Sequence, residues 1–158
     1  MKLHILSVGH KVPAWVEAGY EEYARRMPKE LQLRLHEIKP GRRSNDSPGQ
    51  RIRVQADEKT RIVTALPAGS VKIALDEHGK TLTTVQFSKH LETWMRGGRD
   101  VCFIIGGADG LDEELKRSAD LLLSLSSLTL PHALVRVVLV EQLYRAASLI
   151  RSHPYHRQ

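Results

Sequence analysis

"FIIGGADGL", residues Phe103 to Leu111, is an apolar run that breaks into paired glycines and then a third glycine. It continues "VCFIIG" (101 to 106), which is apolar throughout, as a strand covered on both faces must be. A strand that ends in glycines brings backbone close to something: a phosphate, another small ligand, or only its own tight turn with positive φ at Gly107 or Gly110. Ligands of open α/β sheets lie beyond the carboxyl ends of such strands, where Gly106 and Gly107 fall.

Outward from this strand, apolar runs alternate with amphipathic stretches. Before it come "LHILSV" (3 to 8), a helical pattern from Pro13 to Met27, "LQLRLHEI" (31 to 38), the polar "KPGRRSNDSPG" (39 to 49), a helical 50 to 66, "VKIALD" (71 to 76) and a helical 84 to 96. After it come an acidic helix start at 112, "LLLSLS" (121 to 126) and a long element from Pro131. Strand and helix take turns, which predicts one α/β domain over residues 1–158 with a mostly parallel sheet flanked by helices. "LQLRLHEI" alternates apolar and polar residues and so belongs near a sheet edge. Thr83, Thr84 and Gln86 suit a helix start, and Trp15, Tyr20 and Tyr23 at helical spacing are read as packing.

With 158 residues the chain is large enough to bury about two-thirds of the surface its unfolded form exposes. Its one cysteine, Cys102, sits in the apolar strand and permits neither an internal disulfide nor a cysteine-rich zinc site. A buried thiol, a reducing cytoplasmic setting and no metal are therefore expected. No segment stays apolar long enough for a secretory signal or a membrane span, so no membrane partner is expected either. Lysine and arginine outnumber the acids by 24 to 18, and such a balance attracts polyanions.

Proline at position 131, after Ser126, Ser127 and Thr129, marks a helix start, and we assign one helix from about 132 to 151. Its first turns carry Leu134, Val135, Val137, Val138, Leu139 and Val140, apolar around nearly the whole circumference. Such a helix must be covered on all sides, which predicts a homodimer with this element at its interface. A strand at "ALVRVVLV" is the alternative.

A phosphate at the glycine turn is disfavoured, because Asp112, Glu113 and Glu114 already occupy the first turn of the following helix. "GGADG" also lacks the spacing of a dinucleotide loop, and no ATP loop occurs. "LSLSSLTLPH" (123 to 132) sets hydroxyls and backbone amides where the next strand runs out, and the two strand ends are expected to be neighbours. Uncharged loops with apolar walls suit a ligand with a purine and no phosphate, such as S-adenosyl-L-methionine.

"IIGGADGL", "LSLSSLTLPHALVRVVLVEQLYRA" and "HPYHR", with the opening "MKLHILSVGHKVPAWVEAGYEEYARR", "ALDEHGK" and "GGRDV", together resemble the RlmH family of SPOUT-superfamily RNA methyltransferases nearly end to end. The resemblance implies an α/β sheet whose C-terminal part is threaded into a deep trefoil knot, and a homodimer. It implies methyl transfer from S-adenosyl-L-methionine to N3 of a pseudouridine in large-subunit (23S) ribosomal RNA of the assembled ribosome. The family's donor positions correspond here to Leu75, Gly106 and the stretch Leu125, Ser126, Ser127, Leu128, Thr129, Leu130, with Gly107 adjoining. On this reading the glycines admit the donor against bare backbone. A non-catalytic RNA-binding protein of the same fold is the alternative.

Imide N3 must lose its proton to become a nucleophile. His153, His156, His132 and Asp76 are candidate acceptors, among which the sequence does not choose, and His132 can equally bond backbone at its helix start. Beyond Glu141 there is no acid, while Arg145, Arg151, His153, Tyr155, His156 and Arg157 follow. Arg145, His153, Tyr155, His156 and Arg157 are taken as RNA-binding, with Tyr155 as a ring on which an unstacked base can lie. Lys39, Arg42, Arg43, Arg51 and Arg53 form a second basic cluster, read equally as surface loop or RNA contact.

Overall fold

In the computed structural model, residues 1–9 and 11–157 are described, His156 and Arg157 by their backbone alone. Five strands and five helices alternate: β1 (Lys2–Val8), α1 (Ala14–Ala24), β2 (Gln32–Ile38), α2 (Pro48–Ala65), β3 (Val71–Thr81), α3 (Thr84–Gly97), β4 (Val101–Ile105), α4 (Glu113–Ser118), β5 (Leu121–Ser124) and α5 (His132–Ile150). A 3-10 turn, Pro154–Arg157, follows. Every pairing is parallel, in the order β2-β1-β4-β3-β5. All carboxyl ends therefore open on one rim.

β4 is the middle strand and is buried at all five positions, as its uniform apolarity requires. β2 is an edge strand, as its alternation predicts. β4 and β5 are not neighbours, contrary to the sequence reading, because β3 runs between them. Strand adjacency depends on which way each helical crossover turns, and no local pattern encodes that. The β3–β5 register jumps between Leu75 and Lys80, so residues 76–79 leave the ladder.

Local chemistry accounts for the helix boundaries. The Ser47 hydroxyl accepts the Gln50 amide at 3.3 Å, with Pro48 in the first turn of α2. Thr83 and Gln86 form a reciprocal capping box, and α3 ends on Gly98 in the left-handed region, φ 70°. Asp112 accepts the amides of Glu114 and Leu115, so the acids at the start of α4 serve as cap and dipole partners.

One sheet face buries Leu3, Ile5, Ile73, Phe103 and Leu123 against α1, α3 and α5. Phe103 meets Phe87 and Trp94 edge-on, ring centres 6.3 and 6.0 Å away. Tyr20 is buried as expected, but Trp15 is 60% exposed and does not pack. The other face buries Leu6, Val8, Cys102 and Ile104 with Ile62, Leu111 and Leu115. Burial pushes the Cys102 thiol up to about 12, so no thiolate forms at neutral pH.

Glu58 of α2 is a buried charge, 4% exposed, and accepts the Gly41 amide at 2.9 Å. Burial raises its carboxyl above the ordinary glutamate range, and the Gly41 amide offsets this only in part.

Phe103→Ala should lower the unfolding free energy by about 3–5 kcal/mol, read from the urea midpoint at constant slope. The raised Glu58 carboxyl favours the fold while protonated, and that contribution is lost as pH climbs from the unfolded value, about 4.3, through the folded one. Glu58→Gln keeps an acceptor for Gly41 and does not titrate. Its stability relative to the parent should therefore rise between about pH 4 and pH 7; a pH-independent difference would contradict the assignment.

Candidate functional site

β4 stops at Ile105 because the chain must bend at once. A Cβ on Gly106 would stand 2.8 Å from the carbonyl carbon of Gly110, and one on Gly107 would stand 3.0 Å from Val8 Cγ1. Gly110 itself has φ +77° and donates its amide to the Gly107 carbonyl at 3.0 Å, a conformation glycine adopts without strain. At Gly106 that space is taken by the turn's own backbone, and at Gly107 by Val8 of β1 and Glu58 of α2, so packing within the chain is one reason for each missing side chain.

A cavity of about 870 Å³ adjoins this turn, within the range of small-molecule sites. Its apolar floor is the strand ends, Leu75 of β3, Ile105 of β4 and Leu123 of β5; Leu125 and Leu130 extend it, and Val135 of α5 closes one side. Leu75, Gly106, Gly107, Leu125, Ser126, Leu128, Thr129 and Leu130 all border it, while Ser127 does not. Although β3 separates β4 from β5, the bulge of β3 and the loops after β4 and β5 converge here.

Hydrogen bonds hold those loops. The Ser124 hydroxyl donates to the Ser126 carbonyl at 2.8 Å, and the Leu128 amide donates to the Ser126 hydroxyl at 2.9 Å. Thr129 donates to Glu77 at 3.2 Å, joining the loop after β5 to the bulge of β3. On the other side Gln55 Nε2 donates to the Asp109 carbonyl at 2.6 Å, and Arg43 pairs with the Asp109 carboxylate at 2.5 Å.

The mouth is charged, where the sequence reading expected an uncharged slot. Asp76 lies 3.5 Å from the Lys116 ammonium, their side chains 13% and 16% exposed, and Lys116 also meets Glu113 at 2.8 Å. Burial alone would lower the Lys116 pKa, but these two carboxylates more than offset it and hold the ammonium above its ordinary value. Acidic Asp76, Glu77 and Glu113 stand on the β3 and α4 side, and Arg43 and Arg51 on the α2 side. Lys116 and Gln55 escaped the sequence reading because each is one polar residue on an ordinary amphipathic helix; only tertiary placement sets them beside the turn.

Of the proton-acceptor candidates, His132 and Asp76 border the cavity. The His132 ring makes no hydrogen bond among the described residues and so does not bind backbone at its helix start; it lies 3.8 Å from where a Gly9 Cβ would be. Arg145, His153 and Tyr155 lie elsewhere, toward the far end of α5, which spans about 28 Å for its 19 residues. Arg145 pairs with Glu141 at 2.6 Å and lies 4.8 Å over the Tyr155 ring. The Tyr155 hydroxyl donates to Glu141 at 3.1 Å, and its ring centre is 4.6 Å from that of Tyr144. Burial, then contact with Tyr23 and Glu141, raises the Tyr155 phenol. Tyr155 therefore packs on its own helix here and is not a bare platform. His153 borders a second hollow, about 400 Å³, with Arg26, Tyr144 and Arg151. The side chains of His156 and Arg157 lie outside the described residues.

Among the described residues no cluster of histidine, cysteine or acid could hold a metal ion, and no helix is long and apolar enough to cross a membrane. The family described as "Predicted SPOUT methyltransferase" matches residues 1–156. The chain is 57% identical, over 99% of both sequences, to "Ribosomal RNA large subunit methyltransferase H" of Paraburkholderia xenovorans (strain LB400), and 55% identical over the same shares to the proteins so named in Burkholderia vietnamiensis (strain G4 / LMG 22486) and Janthinobacterium sp. (strain Marseille). A solved probable methylase family protein from Haemophilus influenzae Rd KW20 shares the fold, with a TM-score of 0.52 over 98% of this chain and 69% of its own, at 12% identity. A parallel sheet whose strand ends frame one cavity, and a family match that runs through all of it, agree: the chain belongs to the SPOUT methyltransferase family.

Proposed function

We propose that this protein, a single domain, transfers a methyl group from S-adenosyl-L-methionine to N3 of a pseudouridine in large-subunit ribosomal RNA, acting in the cytoplasm on assembled ribosomes. The observation that carries the reading is the convergence of the β3 bulge and the β4 and β5 ends on one cavity in a chain more than half identical to named ribosomal RNA methyltransferases.

The cavity suits that donor. Its apolar floor of Leu75, Ile105, Leu123 and Leu125 can sandwich a purine, and Asp76 and Glu77 complement a positively charged amino-acid moiety. Asp112 takes two first-turn amides of α4, those of Glu114 and Leu115, and its carboxylate with Glu113 and Glu114 disfavours a pyrophosphate there. When bound, the donor supplies an electrophilic methyl on a sulfonium. The chain's part is to hold that methyl in line with the target nitrogen and to accept or stabilise away the imide proton. His132 and Asp76 are the described candidates on the cavity. Asp76 lies beside the Lys116 ammonium and accepts the His78 amide.

The active form is a homodimer. Leu134, Val135, Val137 and Val138 stay only half-buried in a single chain, so α5 has apolar surface left to cover. His153 and Pro154 of the tail border the second hollow and not the cavity of their own chain. A second subunit would bring a tail to each pocket. The SPOUT-type trefoil knot of the C-terminal part belongs to this reading through the family resemblance.

Calorimetry should detect binding of S-adenosyl-L-methionine and S-adenosylhomocysteine and none of NAD; binding of NAD alone would refute the donor assignment. Deleting His153 to Gln158 should leave donor affinity unchanged and abolish methylation of ribosomes, with the missing methyl located by mass mapping of the RNA. Unchanged turnover would remove the tail from the mechanism.

A further inference from the structure

The second basic cluster has a structure of its own. Arg43 is committed to Asp109 and Asp46, at 2.5 and 3.2 Å. Arg42, Arg51 and Arg53 are exposed, and their side chains make no hydrogen bond or ion pair among the described residues. Three arginines left unpaired in a chain that pairs Arg43, Arg61, Arg96 and Arg145 internally are a concentration of free positive charge. They sit on the loop after β2 and the first turns of α2, and Arg51 borders the cavity.

The segment that carries them is locked to the glycine turn. Gln55 and Arg43 both hold Asp109, and Glu58 holds the Gly41 amide while its carboxylate oxygens lie 3.4 Å from where a Gly107 Cβ would stand. A polyanion gripped by these arginines would thus be held at a set distance from the cavity. On the opposite side of the mouth Lys116 is engaged by Asp76 and Glu113, and Glu77 adds a further acid. On the α2 side Asp46 and Asp109 are both engaged by Arg43, which leaves Arg51 as a cation there without an ion pair among the described residues.

We propose that Arg42, Arg51 and Arg53 form a phosphate-binding rim that holds the RNA backbone flanking the target nucleotide, on the α2 side of the cavity. The inference rests on the methyltransferase reading above and adds the face on which the RNA lies and the residues that hold it. Contacts of this kind position the substrate without reading its sequence. Each released counterion adds a salt-dependent increment to binding, with a slope of about 0.7–0.9 in log K against log salt per phosphate contact. Arg43, by contrast, serves the turn.

The test is Arg42→Gln with Arg53→Gln, neither of which borders the cavity, compared with the parent for binding to purified large ribosomal subunits across a salt series and for turnover. The double variant should keep its urea midpoint and its donor affinity. It should bind subunits ~10-fold or more weakly at physiological salt, show a salt slope shallower by about 1.4–1.8, and raise KM for the particle with kcat retained at saturation. Arg42→Lys with Arg53→Lys should restore most of the binding, because a phosphate accepts any point charge. An unchanged salt slope and KM in the glutamine variant would overturn the rim. If the parent binds subunits with the expected salt slope but transfers no methyl, the function proposed above fails and the rim stands. A parent that does not bind subunits at all overturns both.

Discussion

No side chain can stand at Gly106. The space a Cβ would fill is occupied by the backbone of Gly110, 2.8 Å away, so the chain leaving the central strand folds back on itself within five residues. This closure ends β4 abruptly, and the end of β4 lies between those of β1 and β3 at the carboxyl rim. Beside it the bulge of β3 and the loop after β5 meet, joined by Thr129 and Glu77. The cavity exists because the middle strand gets out of the way.

Around that cavity the chain spends most of its polar contacts on keeping loops in register. Thr129 to Glu77, Lys116 to Asp76, and Gln55 and Arg43 to Asp109 each join segments far apart in sequence across the mouth. The Lys116–Asp76 pair is nearly buried, so it owes its geometry to its surroundings more than to any net stability it adds. Lys116 and Arg43 thereby each neutralise an acid at the mouth, Asp76 and Asp109.

α5 links two regions that a single chain keeps apart. Its first turn, His132 and Val135, closes the cavity, its middle turns carry Glu141, Tyr144 and Arg145, and its C-terminal end borders the second hollow. The 3-10 turn folds back so that Tyr155 rests on Glu141 and Tyr144 of its own chain and not at the cavity. The half-buried valines on the intervening turns give the same surface an energetic reason to meet another copy.

The sequence by itself determined whatever depends on neighbours within a turn or a strand. That covers the alternation of elements, the uniform burial of "VCFII", the wet edge of "LQLRLHEI", the Thr83–Gln86 capping box, and the acids at 112–114 as the partners of their own helix. It also put the ends of β4 and β5 on one rim, since parallel strands must all end there, and the motif residues after those strands, Ser127 apart, border one cavity. Only the tertiary structure decided that β3 lies between β4 and β5, that Ser127 turns away from the cavity, and that Tyr155 packs on Tyr144. It alone set Lys116 and Arg43 beside the glycine turn. The reason is common to all of these: strand order, and which long polar side chain meets which, follow from packing between segments 40 or more residues apart, and periodicity carries information only over the next few residues.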